Sequence, residues 1–117
     1  MSTNKIANRL VNLLRQGQFE TAQKELFQQD AISTEPESAN LPETKGLDAI
    51  LQKGAQFRES VENWYGITVS EPVVSAQHFA VALTVDLAFK GQAQSRMDEI
   101  IVYQVEDGKI KHEQFFY

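Results

Sequence analysis

The chain has 117 residues, 42% of them hydrophobic, enough to bury one core and too few to divide comfortably into two, so residues 1–117 read as a single domain. Sixteen acidic against 11 basic residues give a net charge of −5, with the basic residues scattered along the chain, which argues against nucleic acid as a partner. No cysteine is present, which excludes disulfides, thiol catalysis and cysteine-bound zinc; the N-terminus lacks the apolar core of a signal peptide, and no stretch approaches the roughly 20 apolar residues of a membrane span, so a soluble, cytoplasmic chain without membrane association is expected.

In chain order, Ile6, Leu10, Leu13 and Leu14 form one stripe of a helix over Thr3–Gln16, with Ser2 or Thr3 as its cap and Gly17 as its stop. A second helix follows directly through about Leu26–Gln28, carrying Phe19, Ala22 and Leu26 at helical spacing. Asp30–Glu43 holds Pro36 and Pro42 among small polar residues and reads as a short edge strand, Ala31–Thr34, running into a mobile loop. Leu47, Ile50, Leu51, Phe57 and Val61 then mark a long helix from Gly46 to about Asn63, with Gly54 tolerated inside it.

Beyond that helix the period falls from 3.6 to 2. Trp64–Ser75 reads as a strand interrupted near Pro72, and Gln77–Phe89 as a clean strand in which Phe79, Val81, Leu83, Val85, Leu87 and Phe89 share one face. Asp107-Gly108 predicts a two-residue type I′ turn between strands Met97–Glu106 and Lys109–Tyr117. An uninterrupted register from that turn pairs Val105 with Ile110, Tyr103 with His112, Ile101 with Gln114 and Glu99 with Phe116. Glu99, Ile101, Tyr103, His112, Gln114 and Phe116 then share one face, and Asp98, Ile100, Val102, Glu113, Phe115 and Tyr117 the other. Depending on the turn around Gly91, the Phe79 set aligns with either the Glu99 set or the Ile100 set; the first gathers one continuous apolar face and is favoured.

The expected architecture is α+β, with helices on one face of a curved antiparallel sheet. This order, with Lys45-Gly46-Leu47-Asp48-Ala49-Ile50 opening the long helix, Val102-Tyr103-Gln104-Val105-Glu106-Asp107-Gly108-Lys109-Ile110 closing the sheet and the aromatic end Glu113-Gln114-Phe115-Phe116-Tyr117, resembles the SnoaL-like branch of the nuclear transport factor 2-like, cystatin-like fold superfamily. The resemblance covers essentially the whole chain. It implies a cone-shaped sheet wrapped around the long helix, a pocket at the open end and dimerisation through the outer face of the sheet. It also implies a choice among polyketide cyclases, ketosteroid isomerases, dehydratases and non-enzymatic binding modules, because the fold does not select one. Cyclase and isomerase relatives commonly use an Asp base, but Asp86 and Asp98 fall on the outward set.

Glu99 is therefore the first catalytic candidate, a carboxylate on an apolar strand face where burial raises its pKa toward general-base range. An ion pair with Arg58 or Arg96 is the plainer alternative. His112 and Tyr103 are candidate proton donors, and Phe57, Trp64, Tyr65, Gln114 and Phe116 are candidate ligand contacts. His78, Asp86 and Glu113, with Glu37 or Asp48, have no metal-ligand spacing, and no phosphate loop or nucleophile elbow is present, so neither metal nor cofactor is expected. Two functions stay open. The first is binding of a small apolar carbonyl-containing or cyclic molecule in the cone pocket, with metal-free acid–base isomerase or cyclase chemistry as an option; the second is a non-enzymatic homodimeric ligand-binding or protein-interaction module joined through Ala80, Ala82, Thr84, Ile100, Val102, Phe115 and Tyr117.

Overall fold

A computed structural model describes residues 1–117 in full. The elements are α1 (Thr3–Arg15), α2 (Phe19–Leu26), β1 (Phe27–Thr34), a 3-10 turn (Glu37–Ala39), β2 (Thr44–Lys45), α3 (Leu47–Ser60), β3 (Val61–Val69), β4 (Val73–Val74), β5 (His78–Phe89), β6 (Ser95–Glu106) and β7 (Lys109–Phe116). Ser2 caps α1 by accepting from the Lys5 amide, and Gly17, at φ +73°, ends its last turn in the left-handed region that a Cβ disfavours. The stripe Ile6, Leu10, Leu13 and Leu14 is buried, and Arg15 ties the helix end to the sheet by donating twice to the Val69 carbonyl, at 2.9 and 3.2 Å.

Two expected boundaries move. Helix α2 stops at Leu26 and β1 starts at Phe27, four residues before the expected Ala31, because Phe27 pairs with Ile110 and buries its ring edge-on to Tyr103. Helix α3 stops at Ser60, short of the expected Asn63, because Val61 is buried and already paired with Phe89. The break near Pro72 falls between β3 and β4.

The sheet order is β2-β1-β7-β6-β5-β3, with β4 added beside β5. The four long strands β3, β5, β6 and β7 are antiparallel, as their alternation implies, but β1 lies parallel to β7, so the sheet is mixed rather than wholly antiparallel. The favoured β5–β6 register is the one formed, with Leu83 opposite Glu99, Val81 opposite Ile101 and Phe79 opposite Tyr103. Asp107 (φ +53°) and Gly108 (φ +75°) make the type I′ turn.

The β6–β7 register departs from the expected one. Glu106–Lys109 and Val105–Ile110 pair as predicted, but Lys111 then bulges out, so that Gln104 faces His112, Tyr103 faces Glu113 and Ile101 faces Phe115. The Tyr103–His112, Ile101–Gln114 and Glu99–Phe116 pairs are not formed. From the bulge onward every β7 side chain is on the opposite face from the one the plain register assigns. The inner row now runs Ser33, Glu113, Tyr103, Phe79 across β1, β7, β6 and β5, with Phe79 stacked on Tyr103 at 4.8 Å.

The helices cover this inner face, giving the α+β cone, and α1 seals it with Ile6, Leu10 and Leu13 against a core that includes Phe79, Val81 and Leu87. No helix is long and apolar enough to cross a membrane.

Candidate functional site

Helix α3 is amphipathic, yet only Leu47 and Ile50 are buried, both in its first turn. Between its remaining turns and the sheet lies a cavity of about 380 Å³, closed at one side by Phe57, whose ring meets Trp64 and Phe89. Leu10 and Leu14 of α1 and Phe19, Ala22 and Gln23 of α2 line one wall; the sheet supplies Leu83, Val85, Met97, Ile101 and Phe115. Phe57 and Trp64 form an aromatic corner, in edge-to-face contact at 6.2 Å, with Phe19 stacked 6.3 Å from Trp64. The chamber is mainly apolar, with polar groups at a few places, as expected of a small-molecule site.

The polar groups of the sheet wall are Ser33 and Glu35 around the end of β1, Glu99 and Tyr103 of β6, and Glu113 and Tyr117 at the end of the chain. Glu113 is only 6% exposed, and Ser33 Oγ donates to its Oε1 at 2.8 Å. Burial pushes its carboxyl up to about 7, while the Ser33 hydrogen bond and the Lys53 ammonium act in the opposite direction. Glu99 has no Arg58 or Arg96 partner: Arg58 reaches toward Glu20 and Arg96 pairs with Asp86. Burial pushes Glu99 up to about 7 as well, helped by the charges of Glu35 and Glu113 and opposed by Lys53. Lys53 comes down from α3, holds Glu35 at 2.7 Å and sits 5.5 Å over the Phe115 ring, while the Tyr117 hydroxyl donates to the other Glu35 oxygen at 2.9 Å. Burial raises the Tyr103 phenol well above its ordinary value, so it stays protonated. Two carboxyls that titrate near neutrality can present a base and an acid in one chamber at the same pH.

Of the residues singled out from the sequence, Glu99, Tyr103, Phe57 and Trp64 line this cavity together. His112, Gln114, Phe116 and Tyr65 do not. The Lys111 bulge puts His112, Gln114 and Phe116 on the outer face, where His112 Nε2 lies 2.8 Å from Thr34 Oγ1. Tyr65, next to Trp64 on β3, is more than half exposed. Glu113, Phe115 and Tyr117, assigned outward by the plain register, take the inner places. The outer stripe is corrected accordingly: Phe116 and Gln114 replace Phe115 and Tyr117 beside Ala82, Ile100 and Val102. Nothing in the sequence marks Glu35 or Lys53, and the one signal for Ser33 is its place two residues from the buried Ala31, on the same face of β1. No group of three or more His, Asp or Glu side chains is arranged to hold a metal ion.

A Mesorhizobium loti protein carrying the name SnoaL-like polyketide cyclase, and also the label carbohydrate phosphatase, is 30% identical, with a TM-score of 0.92 and all of both chains covered. A cystatin-like fold protein of unknown function from Xanthomonas campestris shares 17% identity and a TM-score of 0.79 over 99% of this chain and 90% of its own. A Pseudomonas putida protein named as a polyketide cyclase shares 14% identity and a TM-score of 0.74 over all of this chain and 92% of its own. These last two bear on the fold alone. No functionally curated protein matches the chain. The SnoaL-like domain model matches residues 1–117, and the protein therefore belongs to the SnoaL-like family.

Proposed function

We propose that the protein binds a small apolar carbonyl compound in this cavity and moves a proton next to the carbonyl by cofactor-free acid–base chemistry. The observation that carries this reading is Glu99: a carboxyl held near 7 by burial on the wall of an apolar chamber, with Arg58 and Arg96 both engaged elsewhere. Ionised Glu99 takes the proton from the carbon beside the carbonyl as that C–H bond breaks. The electron pair moves into the carbonyl to give an enolate, whose oxygen accepts a hydrogen bond or a proton from Tyr103 or protonated Glu113. Return of the proton to another carbon is an isomerisation; attack of the enolate on a second carbonyl is a cyclisation. The polyketide cyclase name of the Mesorhizobium loti protein agrees with this class of chemistry.

The test is deuterium uptake next to the carbonyl of α-tetralone in D2O, followed by NMR. Uptake should require the protein and rise with pH through about 7 as Glu99 ionises. Glu99→Gln should slow it by about 10²-fold or more. Equal rates in wild type and variant would sink the assignment.

A second reading is a dimeric binding module, in which the cavity holds a ligand without transforming it. It is favoured by the outer sheet face, where Ile100 and Phe116 are 45% and 47% exposed and lie opposite one another in the register.

A further inference from the structure

Two cations line the cavity, Lys53 and Arg58, and only one of them has a counter-charge inside it. Lys53 holds Glu35 at 2.7 Å and is the cation that acts on both Glu99 and Glu113. Arg58 meets no cavity carboxylate. Its one side-chain polar contact is a 3.5 Å hydrogen bond from Nη2 to Glu20, at the outer limit for such a bond, and Glu20 is already held at 2.7 Å by Lys24 on the exposed side of α2. The guanidinium folds back along α3, with Nη1 3.2 Å from the point that a Cβ on Gly54 would occupy, and Gly54 is itself a lining residue. At 29% exposure the Arg58 side chain stands at the cavity rim, at the end of the aromatic corner, where Glu20 follows the Phe19 that stacks on Trp64.

A guanidinium with most of its N–H groups unpaired matches a planar, singly charged oxygen acid. A carboxylate takes two parallel N–H bonds from one arginine. A phosphate ester carries more charge and asks for more donors than one side chain supplies, in a chamber whose lining already includes Glu35, Glu99 and Glu113. At the rim the charge also stays partly in water, so only the apolar body of the ligand is desolvated against Phe19, Phe57 and Trp64. We infer that Arg58 is a carboxylate-binding residue at the cavity rim, so that the ligand is an amphipathic keto acid, its apolar body filling the chamber, its acid group on Arg58 and its carbonyl at the Glu99 wall. This rests on the reading that the cavity binds a carbonyl compound, and it names the charged end of that compound.

The probes are 6-carboxy-α-tetralone, whose carboxylate and carbonyl lie at opposite ends of the ring system, and its methyl ester, which has the same skeleton without the charge. Both are titrated at neutral pH against the whole protein by fluorescence of Trp64, the only tryptophan and a cavity residue. The acid should bind wild type roughly tenfold or more tightly than the ester in low salt, and added salt should narrow the gap. Arg58→Met should bring the ratio of the two dissociation constants close to one, whereas Arg58→Lys, which keeps the charge without the fork, should retain part of the preference. Equal affinities in wild type, a comparison that needs no variant to fold, would overturn the site, as would a preference unchanged in Arg58→Met. Deuterium uptake beside the carbonyl of the same two compounds separates the two claims. A preference for the acid without uptake keeps the Arg58 site and removes the proton-transfer reading; uptake without preference does the reverse. Binding of neither compound overturns both.

Discussion

Glu99 and Glu113 are chemically ordinary carboxyls made unusual by where their backbones run. In both, the carboxyl is raised from an ordinary 4.5 to about 7, with burial as the largest cause. The folded protein thus holds these protons more tightly than the unfolded chain does. Their contribution to stability is fully present below about pH 4.5 and is lost as pH rises through 7, which is opposite in sign to that of a salt-bridged carboxylate. The thermal midpoint should fall between pH 5 and pH 8. Glu99→Gln, which cannot ionise, should raise the midpoint at pH 8 by roughly 4 °C or more and change it little at pH 5. Melting curves of both proteins at the two pH values decide it, and a wild-type midpoint that does not fall toward pH 8 would contradict the burial of these groups. Lys53 limits the effect, because its ammonium favours the ionised form of both. Tyr103 and Ser33 complete the polar wall from neighbouring positions of the same inner row.

At the scale of the element, the decisive feature is the one-residue bulge at Lys111. A deletion inside a paired strand ordinarily turns every following side chain to the wrong face. Deleting Lys111 should not, because it removes the extra residue and joins Ile110 opposite Val105 directly to His112 opposite Gln104. Glu113 and Phe115 keep their inner places, and the loss is confined to the exposed ion pair with Glu106 and some local twist. The deletion should cost no more than about 2 kcal/mol and leave ligand binding measurable. Deleting Val102 from β6 should unfold the protein, since Ile101 and Glu99 would turn outward. Urea denaturation of the two deletions tests the pairing; an unfolded Lys111 deletion would mean that the bulge itself shapes the sheet. The same reasoning explains α3. Its apolar stripe is fully buried only in the first turn, at Leu47 and Ile50, and farther along Phe57 roofs the cavity.

At the scale of the whole molecule, the helices bury one face of the sheet and leave the other bare. Ile100 and Phe116 project from that outer face with Ala82 and Val102 around them, an apolar stripe that a twofold sheet-to-sheet contact would cover. Light scattering on the eluting protein should therefore give twice the 13.2 kDa chain mass. Ile100→Lys should halve the observed mass without changing the circular dichroism spectrum. A wild-type monomer at micromolar concentration would show that this face needs no second copy. A sheet-to-sheet contact would use the face of these strands opposite to the cavity, so Ile100→Lys should leave the cavity's walls in place.

Much of this was legible in the chain. Helical spacing of Leu10, Leu13 and Leu14, strict alternation from Phe79 to Phe89 and the Asp107-Gly108 turn specify α1, β5 and the final hairpin, because each signal is local and is read within one or two turns or pairs. Glu99 was legible for the same reason: it faces inward once β5 and β6 are aligned on their apolar sets. The other half of the site was not. Whether Glu113 or His112 faces the cavity depends on one bulged residue, and that bulge brings β7 into step both with β6 and with β1, a strand 80 residues earlier that lies parallel to it and sets Ser33 beside Glu113. The meeting of Glu35 with Lys53 and Tyr117 likewise joins elements that share no sequence period. Local periodicity determines which face of an element is apolar. Only the packing of distant elements decides which polar groups become neighbours inside the cavity, since that depends on register across the sheet and on how far α3 stands from it.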